Sequence, residues 1–161
     1  MHDSRIIANR FIELARADRR FFTPMQLLKL VYIAHGWMLG LYARPLIRDE
    51  IQAWQYGPVI PTIYNEVRSY RGAAIDRELN APDEDLDPAE ADIVRQVYQQ
   101  YGYMSGIQLS AITHAAGTPW SDMYEPGAFG IPIRNDLIQE HYQSLLRQRA
   151  AAAAAAATQP H

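Results

Sequence analysis

Apolar positions recur mostly at three- and four-residue spacing, so the chain reads as a run of helices. Ser4 is placed to cap the first, which runs to about Ala17 with Ile7, Phe11 and Leu14 on one face. Thr23-Pro24-Met25-Gln26 starts the second: Thr caps, Pro takes the first helical position and Gln closes a capping box. This helix carries Leu27, Leu28, Val31, Tyr32, His35, Met38 and Leu39, with Gly36 and Gly40 inside the same periodicity. It is apolar almost all round, which predicts the central buried helix. The period then changes. Residues 44–47 and 51–56 are short β-prone runs joined by Arg48-Asp49-Glu50, predicting a hairpin that Gly57-Pro58 ends. Pro61-Thr62 opens a helix through about Tyr70. Residues 76–92 are rich in acid and read first as a loop, then as a capping box, Asp87-Pro88-Ala89-Glu90, leading a helix with Ile93, Val94, Val97, Tyr98 and Tyr101. Ser105 caps a shorter helix through Ala116, Pro119-Trp120 restarts a brief turn or helix, and residues 126–132 form a Gly/Pro-rich loop. Asn135 or Asp136 caps a last helix bearing Leu137, Ile138, Tyr142, Leu145 and Leu146. It continues into the Ala run 150–157 and frays over residues 158–161. The expected fold is mainly α (α+β): about six helices and one small antiparallel β-hairpin in a single domain, 1–149, followed by an Ala-rich tail, 150–161.

Composition narrows the chemistry. Fifteen Lys and Arg against 18 Asp and Glu leave a net charge of −3, which argues against a general nucleic-acid binder. The absence of Cys excludes a disulfide scaffold, a Cys-based zinc site, an iron–sulfur cluster and a cysteine nucleophile. The start carries acidic and polar groups with no long apolar stretch behind it. The most apolar segment, residues 30–43, is shorter than the ~20 residues a membrane span requires. A cytoplasmic protein without membrane contact is expected. One position stands out: every basic side chain except Lys29 is Arg. Lying on the most apolar helix, Lys29 is expected to pack its stem and pair its ammonium with a carboxylate or with backbone carbonyls.

Searches for a catalytic centre return little. The five His make no metal-binding pattern, and His35 and His114 read as hydrogen-bonded core residues. Ser110, His114 and Asp122 can spell a triad, but no nucleophile elbow surrounds Ser110. No phosphate loop follows a strand, and Asp83-Glu84-Asp85-Leu86-Asp87 lacks the Gly and terminal Glu of a calcium loop. No catalytic residue, metal or cofactor is therefore expected. The acidic loop offers a docking surface for a basic partner. The aromatic residues, Trp54 and Tyr56 above all, are of the type that anchors protein–protein contacts.

Three blocks carry a resemblance. Leu27-Leu28-Lys29-Leu30-Val31-Tyr32-Ile33-Ala34-His35-Gly36-Trp37 resembles the signature helix of the Panacea domain family, the SocA-like antitoxins that include GepA-like phage-associated proteins. Ala53-Trp54-Gln55-Tyr56-Gly57-Pro58-Val59-Ile60-Pro61, with Tyr64 and Tyr70 after it, is similar to that family's second hallmark. Leu109-Ser110-Ala111-Ile112-Thr113-His114 followed by Pro119-Trp120 resembles its third, and Ile131-Pro132-Ile133 its lead into the last helix. The resemblance implies an antitoxin of a toxin–antitoxin system that neutralises a protein toxin from an adjacent gene by direct contact. The alternative it carries is an adaptor delivering the toxin to the ClpXP protease. A hydrolase using Ser110, His114 or Asp122, and a transcriptional autoregulator, are the remaining rivals. On this resemblance Lys29, Tyr32, His35, Trp37, Trp54, Tyr56, Gly57, Pro58, Pro61, Tyr64, Thr113, His114, Pro119 and Trp120 serve the scaffold. His35, Thr113 and His114 are expected to hydrogen-bond beneath the hairpin. Trp54 and Tyr56, the expected hairpin tip Arg48, Asp49 and Glu50, and the acidic Asp83, Glu84 and Asp85 are the candidate toxin contacts.

Overall fold

Helix α2 (Pro24–Tyr42) is the axis of the molecule in the computed structural model, which describes residues 1–158. Its residues from Leu27 to Gly40 are buried without interruption, because α1 (Ser4–Ala17), α4 (Pro88–Tyr101), α5 (Gly106–Thr113) and α7 (Asn135–Thr158) surround it. Two short helices, α3 (Pro61–Val67, continued by a 3-10 turn over Arg68–Tyr70) and α6 (Pro119–Met123), flank a small sheet. The helix starts follow their caps. Thr23 and Asp87 each form the capping box expected, Ser105 caps α5 as expected and does so through a capping box with Gln108, and Thr118 caps α6 by accepting from the Ser121 N–H. The first helix differs. Asp3, not Ser4, caps α1 by accepting from the Arg5 N–H, and Ser4 is its first residue. Helix α5 stops at Thr113, short of Ala116. The Ala run continues α7 in solvent as expected; Thr158, the expected start of the fraying, is still helical, and the rest of that expectation, residues 159–161, lies outside the described residues.

The hairpin sits later in the sequence than the β-prone runs suggest. Strand β1 (Gln52–Trp54) pairs antiparallel with β2 (Gly57–Val59), so the tip is Gln55-Tyr56, and Gly57-Pro58 belongs to a strand instead of ending it. Gly57 has φ +120, a backbone that a side chain disfavours, and Pro58 lies on an edge strand where its missing N–H is tolerated. Residues 44–47 do not join the hairpin because their backbone is used elsewhere. The Leu46 and Ile47 N–H groups both donate to His35 Nδ1, and the His2 N–H donates to the Leu46 carbonyl in a parallel bridge. Arg48-Asp49-Glu50 is therefore a connection, not a tip. A third strand, β3 (Ile131–Pro132), pairs with β1 from within the expected Gly/Pro loop. Its two residues are too short for a period-2 signal.

Helix α7 packs closely along α2. Gly36 and Gly40, one turn apart, leave a furrow into which Tyr142 lays its ring, edge-on to Trp37 at 5.0 Å and Tyr32 at 6.5 Å. Among the described residues, no helix is long and apolar enough to cross a membrane.

A candidate binding cleft

The three sequence blocks converge on the hairpin. An edge strand and a tight turn leave carbonyls without strand partners, and buried carbonyls need donors. The second block is the hairpin itself; the first block supplies one donor and the third supplies two. From α6, the Trp120 indole N–H donates to the Trp54 carbonyl at 2.6 Å. From α5, the Ser110 hydroxyl donates to the Tyr56 carbonyl at 2.7 Å. From α2, the Lys29 ammonium donates to the Pro58 carbonyl at 2.9 Å. Alternate carbonyls of one five-residue segment are thus clamped to three helices, which fixes the hairpin on the helical body.

Lys29 fulfils the expectation placed on it: it is 3% exposed, its stem is packed, and a backbone carbonyl receives its ammonium. Burial pulls its pKa from 10.5 down to about 8. Gly57 lies directly over it, and a Cβ there would come within 2.9 Å of Nζ. The site therefore demands Gly57 twice, for its φ and for the space.

On the open side of the hairpin is a cleft of about 760 Å³. Trp54 forms one wall, with Tyr64 4.8 Å and Phe129 5.1 Å from its ring, and its indole N–H donates to Gln52 Oε1. Tyr124, stacked on Trp120 at 4.6 Å, closes the opposite side. Lys29 lies at the floor, and Arg68 and Arg71 stand at the rim. Tyr56 and Phe129 are 66% and 81% exposed, and Ile107 on nearby α5 is 80% exposed. Single exposed apolar residues are ordinary, but a cluster rimming a cleft marks an interaction surface.

The other expected site residues divide. His35 is buried, but its hydrogen-bond partners are not hairpin residues. Its Nδ1 accepts from Leu46 and Ile47, and Nε2–H donates to Asn135 Oδ1 at 2.9 Å. That pattern requires a neutral ring, and burial pulls the pKa from 6.5 to about 4. Thr113 turns its hydroxyl back to the Leu109 and Ser110 carbonyls of its own helix. His114 packs edge-on to Trp120 at 5.3 Å with Nδ1 against the Ser110 carbonyl. Neither bonds to the hairpin; Ser110 does. Ser110 Oγ lies 3.3 Å from His114 Nδ1, but among the described residues no hydrogen bond joins His114 to Asp122, so the three do not form a triad. The Ser110 proton is committed to Tyr56, His114 Nδ1 to a carbonyl, and Asp122 lines a separate small cleft with His141. Among the described residues, no group of three His, Asp or Glu side chains could hold a metal ion.

Of the candidate toxin contacts, only Trp54 and Tyr56 line the cleft. Asp49 is held by the Ser4 N–H and the Thr62 hydroxyl, tying α1 to α3. Arg48 is exposed, and Glu50 accepts from Gln52. Asp83, Glu84 and Asp85 lie exposed near the N-terminus, where Glu84 accepts from His2. Met25, Arg68, Arg71 and Phe129 are cleft residues that the sequence did not mark. Phe129 sits in irregular chain and carried no periodic signal.

The sequence model of the Antitoxin SocA-like, Panacea domain family matches residues 27–121, more than half of the chain and the span that holds all three hairpin clamps. The chain belongs to this Panacea domain family. Antitoxin SocA of Caulobacter vibrioides (strain NA1000 / CB15N) is 31% identical over 157 residues, covering 88% of this chain and 82% of that protein. No solved structure matches it. Family membership gives this Panacea domain an antitoxin role, which implies a toxin partner and suggests a non-enzymatic function.

Proposed function

We propose that this Panacea domain neutralises a protein toxin in the cytoplasm by binding it directly, with the hairpin cleft as the contact face. The observation that carries this reading is the pair of exposed aromatic side chains, Tyr56 and Phe129, on an aromatic cleft. The hairpin that carries Tyr56 is clamped by donors from the first and third sequence blocks. A rigid loop with aromatic anchors loses little entropy on binding, the condition for a hot spot. The scaffold is then common, and the rim selects the toxin. The acidic surface at Asp83, Glu84 and Asp85 is a second candidate contact for a basic toxin.

The test is co-expression with the product of the adjacent gene. Growth should be rescued, the two proteins should co-purify, and Phe129→Glu with Tyr56→Glu should abolish both effects while far-UV circular dichroism is unchanged. Absence of binding and rescue refutes the reading. Rescue that disappears in a host lacking ClpXP would replace neutralisation by binding with delivery to the protease.

A further inference from the structure

We infer that the cleft is built to take an apolar peptide segment bearing one carboxylate, which the Lys29 ammonium receives at the floor. On the function proposed above, that segment is the toxin's, and the inference rests on that reading for the partner's identity.

Three observations carry it. First, the charged side chains lining the cleft are Lys29, Arg68 and Arg71, with no acid among them, in a chain where 18 acidic residues outnumber 15 basic ones. Second, an ammonium carries three N–H donors, and among the described residues Lys29 has one acceptor, the Pro58 carbonyl, and no carboxylate. A buried cation with donors left over is costly, and an apolar side chain of similar length would fill the space without that cost. Among the described residues the Arg68 and Arg71 guanidinium groups make no ion pair either. Third, the walls are Trp54, Tyr64, Tyr124 and Phe129. Such walls fit apolar side chains, so the ligand joins apolar bulk to a single anion. Bare phosphate would leave the walls unused, and a polyanion would meet a surface of net negative charge.

Lys29 is the chain's only lysine, so ¹³C,¹⁵N-lysine labelling yields one side-chain signal. The labelled protein is titrated with acetyl-Leu-Phe-Glu-Phe-Leu-amide, with its Glu→Gln counterpart and with AMP. The Glu peptide should move the Lys29 signal and bind about tenfold or more tighter than the Gln peptide, the scale of a charge-assisted hydrogen bond in a desolvated site. Lys29→Met should erase that discrimination. Arg68→Gln with Arg71→Gln, both on the exposed rim, should weaken the Glu peptide alone and keeps the test valid if Lys29→Met does not fold. A Lys29 signal unmoved by the Glu peptide, equal binding of both peptides, or a response to AMP matching that to the Glu peptide would overturn the inference. The adjacent gene product is titrated in parallel. If it binds with the Lys29 signal unmoved, this inference fails and the proposed function stands. If the peptides discriminate but that protein does not bind, the carboxylate site stands and the toxin reading fails.

Discussion

Replacing Gly36 by Ala tests how α7 is held. The added Cβ would lie 2.1 Å from Tyr142 Cε2 and 2.5 Å from Cζ. Carbon atoms rest about 3.5–4.0 Å apart, so the ring must retreat by roughly 1.5 Å. It has nowhere to go, because Tyr142 is buried between Tyr32 and Trp37. Overpacking of this kind costs about 1–3 kcal/mol, and lifting α7 instead forfeits part of the roughly 3–5 kcal/mol that a buried aromatic contributes. Against this, Ala is better than Gly within a helix by about 1 kcal/mol. The expected net loss is about 2 kcal/mol. With Tyr142→Ala the obstacle is gone, and Gly36→Ala should then stabilise by up to about 1 kcal/mol. The coupling between the two sites is therefore about 3 kcal/mol and of rescuing sign. Urea titrations of the wild type, both single variants and the double variant, followed by circular dichroism, measure it. Effects that add within about 0.5 kcal/mol would show that α7 does not dock through this furrow.

Two further outcomes follow from the buried polar groups. His35 has a lower pKa folded than unfolded, so the unfolded chain takes up a proton first. Its contribution is complete above pH 6.5 and is lost as pH falls toward 4, by about 3 kcal/mol in total. His35→Gln should show a shallower decline in urea midpoint over that window than the wild type, and parallel declines would disprove the assignment. Ser110→Ala leaves the Tyr56 carbonyl without its donor and should cost about 1 kcal/mol of stability while toxin neutralisation persists. Loss of neutralisation with stability unchanged would instead assign Ser110 a chemical role.

The sequence determined what depends on neighbours in the chain. Capping boxes at Thr23 and Asp87, the cap at Ser105, and the all-round apolar character of α2 are local signals, and they placed helix starts and the core axis correctly. The lone Lys29 on that helix also announced its own burial, and of the two partners left open, a carboxylate or a backbone carbonyl, the structure supplies the carbonyl. Tertiary structure decided whatever turned on competition for backbone groups. Residues 44–47 have the composition of a strand, yet His35 and the N-terminal segment claim their hydrogen bonds, so the hairpin formed one step later. Asp49, by composition a turn-tip residue, is spent joining α1 to α3. The cleft was illegible for the same reason. It is assembled from α2, the hairpin, the turn after α3 and the irregular chain around Phe129. No period along one segment reports on side chains that meet only when four segments fold together.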